Sequence, residues 1–359
     1  MEYKVYEEIA QKLNEKIYQH NSYWFYGQIR KIMPMLADIV KHYDCEKVEF
    51  DKIEMNLGEM QTLVLDFLQD LDPSLEENAL NVLEDLEHTV VFVGKPQEVS
   101  KGNSVGIRGL RGKNGRPLKN SPRVEISLHP QNNAMGIVVV GHEIGHTLCQ
   151  RIQERILPKT DCIGEIESVF IEKIFADWLL KKKVISKEDR KKMDVVWKNN
   201  LINSARVLVE EYDLLNRLQN PTNAEDLQKV EKDLQDKNRL GWLEILKHRI
   251  IVMIGDNKGK DIHGEYEFRY IVGEIVATAL YEDFKKNPKE TTENFKEFLS
   301  HSAEYEFYVK KKAKRDGKLV ENYVLEPKEV EKCFATLLGE SYKEKLENAI
   351  KIQHKDKTV

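Results

Sequence analysis

Apolar residues recur at helical spacing along much of this chain. Val5, Ile9, Leu13 and Ile17 form one stripe, and Ile29, Ile32, Met33, Leu36, Ile39 and Val40 form another, so two N-terminal helices are predicted. Asp72-Pro73-Ser74 breaks the next helical stretch. Ser74 with Glu77 reads as a capping box that opens a helix carrying Ala79, Leu80, Leu83 and Leu86. The period then changes twice. Thr89 to Val93 is β-branched and apolar, while Val124, Ile126 and Leu128 alternate with Glu125 and Ser127, and both segments are predicted to be strands. Between them, Gly102, Gly106, Gly109, Gly112 and Gly115 interleave with Arg108, Arg111, Lys113, Arg116 and Lys119. That segment, Lys101 to Pro122, is no phosphate-binding loop and reads as a solvated hairpin, with a mobile loop over a cleft as the other reading. Arg123 to His129 stands just before the most apolar helix, where it reads either as an edge strand that could receive substrate backbone by strand addition or as an ordinary sheet strand.

That helix begins at Ala134-Met135-Gly136-Ile137-Val138-Val139-Val140 and continues through Leu148, Ile152 and Ile156, so it is expected to be buried on most sides and to run to Leu157. It carries Gly141-His142-Glu143-Ile144-Gly145-His146. Histidines four apart share one helical face, and both can reach one metal ion. Glu143 lies about 100° round the helix from His142, which suits a general base facing metal-bound water and not a ligand. Two core histidines with an incidental glutamate would leave a buried carboxylate without a partner, which is costly.

A catalytic zinc site needs a third protein ligand and an open position. Asp161 to Glu172 offers several acids, of which Glu165 is the best placed. From Leu157 the chain can span about 26 Å in eight extended residues, more than the roughly 16 Å back to His146. Ile166, Val169, Phe170, Phe175, Trp178, Leu179 and Leu180 then read as a second amphipathic helix opened by Glu165. Glu172, seven residues on, falls on nearly the same face and could orient a ligand imidazole, whereas Glu167 is expected to point elsewhere.

These two segments resemble the thimet oligopeptidase and oligoendopeptidase F family of zinc metallopeptidases, whose pattern is H-E-x-G-H followed by E-x-x-S-x-x-x-E. The family's third zinc ligand is the first glutamate of the second motif, so the resemblance also selects Glu165. Cys149 departs from the family, which usually has a histidine there. A later segment, His263 to Glu274, looks like the tyrosine-rich helix that forms the far wall of the family's active site. The resemblance makes Tyr270 the donor to the oxyanion of a tetrahedral intermediate, with Tyr266 or His263 assisting. It spans approximately residues 55 to 350, with strong motifs only around 141 to 172 and 263 to 280. Because family members commonly have a longer N-terminal region, the chain looks like a catalytic half with a reduced helical front.

Composition changes this picture little. The 359 residues are 41% hydrophobic and 33% charged, ordinary for a helix-rich globular enzyme. A net charge of −5 makes no electrostatic case for nucleic acid, and four cysteines without paired spacing imply free thiols in a reducing compartment. Neither a signal peptide nor a membrane span is visible, so a cytoplasmic protein is expected. The expected fold is mainly α with a small β-sheet: an N-terminal helical region at 1–88 and a zincin-like metallopeptidase domain with C-terminal helices at 89–359. The expected activity is hydrolysis of peptide bonds in oligopeptides, with one Zn²⁺ held by His142, His146 and Glu165, Glu143 as base and Tyr270 as oxyanion donor. Peptide is the expected partner, and oligomeric state is left open. The alternatives are a zinc protease for one protein partner, or a non-catalytic zinc-stabilised binding module, in which Glu143 would have no use.

Overall fold

A computed structural model describes residues 24–93, 104–111, 117–155, 165–217, 223–236 and 263–300, together with Glu7 and Gln11. The predicted helix over Val5 to Ile17 lies outside this set apart from those two residues. Among the described residues the protein is mainly helical with one small sheet. In chain order the elements are α1 (Trp24–His42), α2 (Leu57–Leu71), α3 (Pro73–Leu83), β1 (Thr89–Val93), β2 (Ser104–Arg111), β3 (Pro117–Leu128), α4 (Ala134–Thr147), α5 (Gln150–Gln153), α6 (Ile166–Lys181), α7 (Lys187–Arg217), α8 (Ala224–Asp236), α9 (His263–Lys286) and α10 (Pro288–Ser300). The stripe Ile32, Met33, Leu36 and Ile39 is buried on α1 as its spacing predicts.

Local chemistry sets several boundaries. Asn56 caps α2 in a reciprocal capping box with Glu59. At α3 the cap is Asp72 and not Ser74, because Pro73 fits the first helical position with its φ already set, and Asp72 accepts from the Ser74 amide. That helix ends at Leu83, one turn earlier than expected, and Leu86 stands 88% exposed beyond it.

The sheet has the order β1-β3-β2, with β1 parallel and β2 antiparallel to β3. The two described parts of the glycine-rich basic segment thus pair antiparallel, Ile107 opposite Val124, and residues 112–116 lie outside the described residues. This order decides between the two readings of Arg123 to His129 in favour of an ordinary sheet strand. Residues 123–128 belong to the central strand, whose backbone groups are taken on both sides, so they cannot receive a substrate strand. Val124, Ile126 and Leu128 turn inward and join one core with Met60, Val64 and Phe67 of α2, Leu75 and Ala79 of α3, Ile137 and Ile144 of α4, and Phe170, Ile174 and Phe175 of α6. Helix α4 is anchored at its start by Asn133, whose side chain accepts from the Gly136 amide. Gly136 is required there, since a Cβ would lie 1.9 Å from the Gln131 carbonyl oxygen.

Helix α4 stops at Thr147, ten residues short of the expected Leu157. Thr147 Oγ1 donates to the Ile144 carbonyl at 2.6 Å, and Leu148 donates back to Gly145 at 3.2 Å, tightening the last turn. Cys149 is extended, and the chain restarts as the single turn α5. The early stop leaves His146 in the last turn of α4 and sends Arg151 back beside it. Among the described residues no helix is long and apolar enough to cross a membrane.

Candidate metal centre

Two glycines bring α4 and α6 unusually close. A Cβ at Gly141 would lie 2.5 Å from the Phe175 ring, and one at Gly145 would lie 3.2 Å from the Ser168 Cα and the Ile171 Cβ. Rising numbers on α4 meet falling numbers on α6, so the two helices run antiparallel. Between the glycines and just past them stand His142 and His146, and at the N-cap of α6 stands Glu165, whose side chain makes no cap hydrogen bond.

The three groups converge. Glu165 Oε2 lies 3.4 Å from His142 Nε2 and 3.6 Å from His146 Nε2. The ligand atoms of His142, His146 and Glu165 all lie within 4.8 Å of one another, and the Glu165 side chain is 5% exposed. Bonds of about 2.0–2.2 Å to a tetrahedral zinc imply edges of roughly 3.3–3.6 Å between ligand atoms, so the two carboxylate–imidazole separations suit zinc without rearrangement. His-His-Glu is a donor set that can hold a metal ion, and zinc fits its nitrogen and oxygen chemistry.

Each imidazole is oriented from behind. His142 Nδ1 is 2.9 Å from Glu172 Oε2, and His146 Nδ1 is 3.3 Å from Glu167 Oε1. With Nδ1 engaged in each ring, Nε2 is the atom presented to the metal position. Glu167 therefore does not point elsewhere, as its offset from Glu165 suggested. It serves the other histidine. On antiparallel helices a carboxylate about one turn before Glu172 must meet the histidine one turn after His142, and that spacing was the signal available in the sequence. Arg151 Nη2 donates to Glu167 Oε1 at 3.0 Å. Burial works against the Glu167 carboxylate, but the Arg151 charge, the His146 contact and a hydrogen bond from Cys149 outweigh it and bring its pKa down to about 2. Cys149, where the resembled family has a histidine, is thus a buried thiol beside a ligand-orienting carboxylate.

Burial likewise disfavours a charged His142, yet the Glu165 and Glu172 carboxylates beside it hold its pKa well above the ordinary imidazole value in the metal-free protein. Glu143 is buried at the same place. Desolvation raises its pKa, partly offset by the two imidazoles, and the Glu165 and Glu172 charges push the same way as burial.

The third wall is α9. A Cβ at Gly273 would stand 2.6 Å from the Glu165 Cβ, so the α9 backbone rests directly on the candidate ligand. Tyr270, half-buried, lies one turn earlier and within about 60° of Gly273 around the helix. His263 and Tyr266 stand on the same helix, with their side chains outside the described residues. Next to Gly273, Glu274 pairs at 2.5 Å with Lys173 of α6, a nearly fully buried ion pair. Trp197 of α7, absent from the sequence reading, donates its indole N–H to Glu172 Oε1.

No family model matches this chain, and no curated protein matches it. A crystal structure of a candidate peptidase from Chlamydophila abortus is similar to it at 17% identity and a TM-score of 0.47, over 97% of this chain and 55% of that one. The chain spans about half the length of that protein.

Proposed function

We propose that this chain is a zinc metallopeptidase of zincin-like architecture that hydrolyses peptide bonds in oligopeptides. The observation that carries this reading is the convergence of His142 Nε2, His146 Nε2 and Glu165 Oε2 with Glu143 buried among them and electrostatically coupled to all three. A bound zinc would supply Lewis acidity toward water and the scissile carbonyl. Glu143 takes the proton of the attacking water and returns it to the leaving amine. Tyr270 donates a hydrogen bond to the developing oxyanion. Glu172 and Glu167 hold the two imidazoles in the tautomer that presents Nε2. A site that served only to stabilise a binding module would need no buried base, so Glu143 favours chemistry over scaffolding.

The test is Glu143→Gln in the full chain. Zinc content and melting temperature should stay at wild-type values while cleavage of a mixed short-peptide library falls by about 10²-fold to 10⁴-fold. Wild-type turnover in that variant, on peptides the native protein cuts, would exclude the mechanism. A zinc-loaded native protein that cuts no peptide but cuts one folded protein would move the reading to a partner-specific protease.

A further inference from the structure

Trp197 is 2% exposed and lies on α7, outside both sequence motifs, yet it completes the coordination of Glu172. The carboxylate has one oxygen, Oε2, on His142 Nδ1 and the other, Oε1, on the Trp197 indole N–H. We infer that Trp197 is a positioning residue for the metal site, fixing the plane of Glu172 and through it the direction in which His142 presents Nε2. The inference rests on the metal-site reading above.

The physical case has three parts. A glutamate's terminal torsion is soft, so a carboxylate held at one oxygen alone can swing and carry its imidazole partner with it. A second donor on the opposite oxygen removes that freedom. Next, the indole is a neutral donor with no acceptor capacity, so it fixes Glu172 without cancelling the negative charge that His142 faces. The His146 side is built differently: its carboxylate, Glu167, is fixed by the cation Arg151. Finally, the indole itself is held. Lys173 Nζ stands 4.3 Å and Arg190 Cζ 4.8 Å from its ring centroid. Both cations are tied elsewhere, Lys173 to Glu274 and Arg190 to Asp177 and Asp194. Cations over the π face draw electron density from the ring, which strengthens the N–H as a donor.

The molecule supplies its own control. Trp178 donates Nε1–H to Asp70 at 2.8 Å with Lys182 Nζ 4.9 Å from its ring centroid, the same chemistry with no metal ligand behind it. The experiment measures zinc dissociation constants by chelator competition for the wild type, Trp197→Phe and Trp178→Phe, with melting temperatures of the metal-free forms. Trp197→Phe should weaken zinc by about 10-fold or more, the usual cost of losing an outer-shell partner, while Trp178→Phe stays within about two-fold of wild type. A wild type that binds no zinc overturns the metal-site reading. A zinc-binding wild type matched by Trp197→Phe overturns only this inference. A second measurement needs no Trp197 variant: the indole ¹⁵N–¹H signals of the four tryptophans, assigned by substituting the other three one at a time. Adding zinc to the metal-free native chain should move the Trp197 signal and leave the Trp178 signal in place, and an unmoved Trp197 signal would count against the proposal.

Discussion

Gly273→Ala adds a single methyl group at the point where α9 rests on Glu165. The added Cβ would stand 2.6 Å from Glu165 Cβ, 3.1 Å from its carbonyl carbon and 3.2 Å from its carbonyl oxygen. Carbon atoms in contact need about 3.5–4.0 Å, so the shortfall is about 1 Å. Two of the three opposing atoms are backbone, and no rotamer change relieves them. Overpacking of this kind costs about 1–3 kcal/mol, and alanine in a helix interior returns about 1 kcal/mol over glycine, for a net loss of roughly 0–2 kcal/mol. The melting temperature should therefore fall by only a few degrees. The site is less forgiving. Metal–ligand distances tolerate about 0.2 Å, and a 1 Å misplacement can cost about 10²-fold in rate. Zinc affinity by chelator competition and kcat/KM on a peptide substrate should both drop by about 10-fold to 10²-fold, out of proportion to the change in stability. Gly58→Ala, where a Cβ meets only Asn56 Oδ1 at 3.3 Å, is the control and should leave the site intact. A Gly273→Ala protein with wild-type zinc affinity and turnover would show that α9 does not set the position of Glu165.

Tyr270→Phe keeps the ring and removes the hydroxyl, so kcat should fall by about 10²-fold or more with KM and melting temperature little changed; steady-state kinetics showing unaltered kcat would remove Tyr270 from the mechanism. In the metal-free protein the His142 pKa is raised above its unfolded value, so its proton adds stability that is fully present below about pH 6.5 and is lost as pH rises through the folded value. Zinc needs the neutral ring, so binding near pH 7 should expel about one proton, read by calorimetry in buffers of different ionisation enthalpy; no proton release would contradict a charged His142. Lys173→Met leaves Glu274 buried without its ammonium partner and should cost about 3–5 kcal/mol by denaturant unfolding, with Glu274→Gln added in the same chain recovering part of it.

The two histidines and the glutamate between them were legible in the sequence because a helix converts spacing directly into a shared face, and the apolar run around them demands burial. Glu165 was legible from the reach of the chain back to His146, and Glu172 from its place seven residues on, on nearly the same face. The strand 89–93 followed from its β-branched, apolar composition and the strand 124–128 from its period of two. Spacing along one element cannot say which element lies opposite, and the supporting contacts of the site are decided there. Glu167 meets His146 because α4 and α6 run antiparallel, and Arg151 reaches Glu167 because α4 stops at Thr147. Trp197 meets Glu172 because α7 packs behind α6, and the 123–128 segment is central because β2 folds back onto its other side. Local periodicity in the sequence picks out the candidate ligands and the faces that carry them. Their partners are fixed in three dimensions, because each pairing needs two separate elements to approach closely, as α4 and α6 do at Gly141 and Gly145 and as α9 does on Glu165 at Gly273.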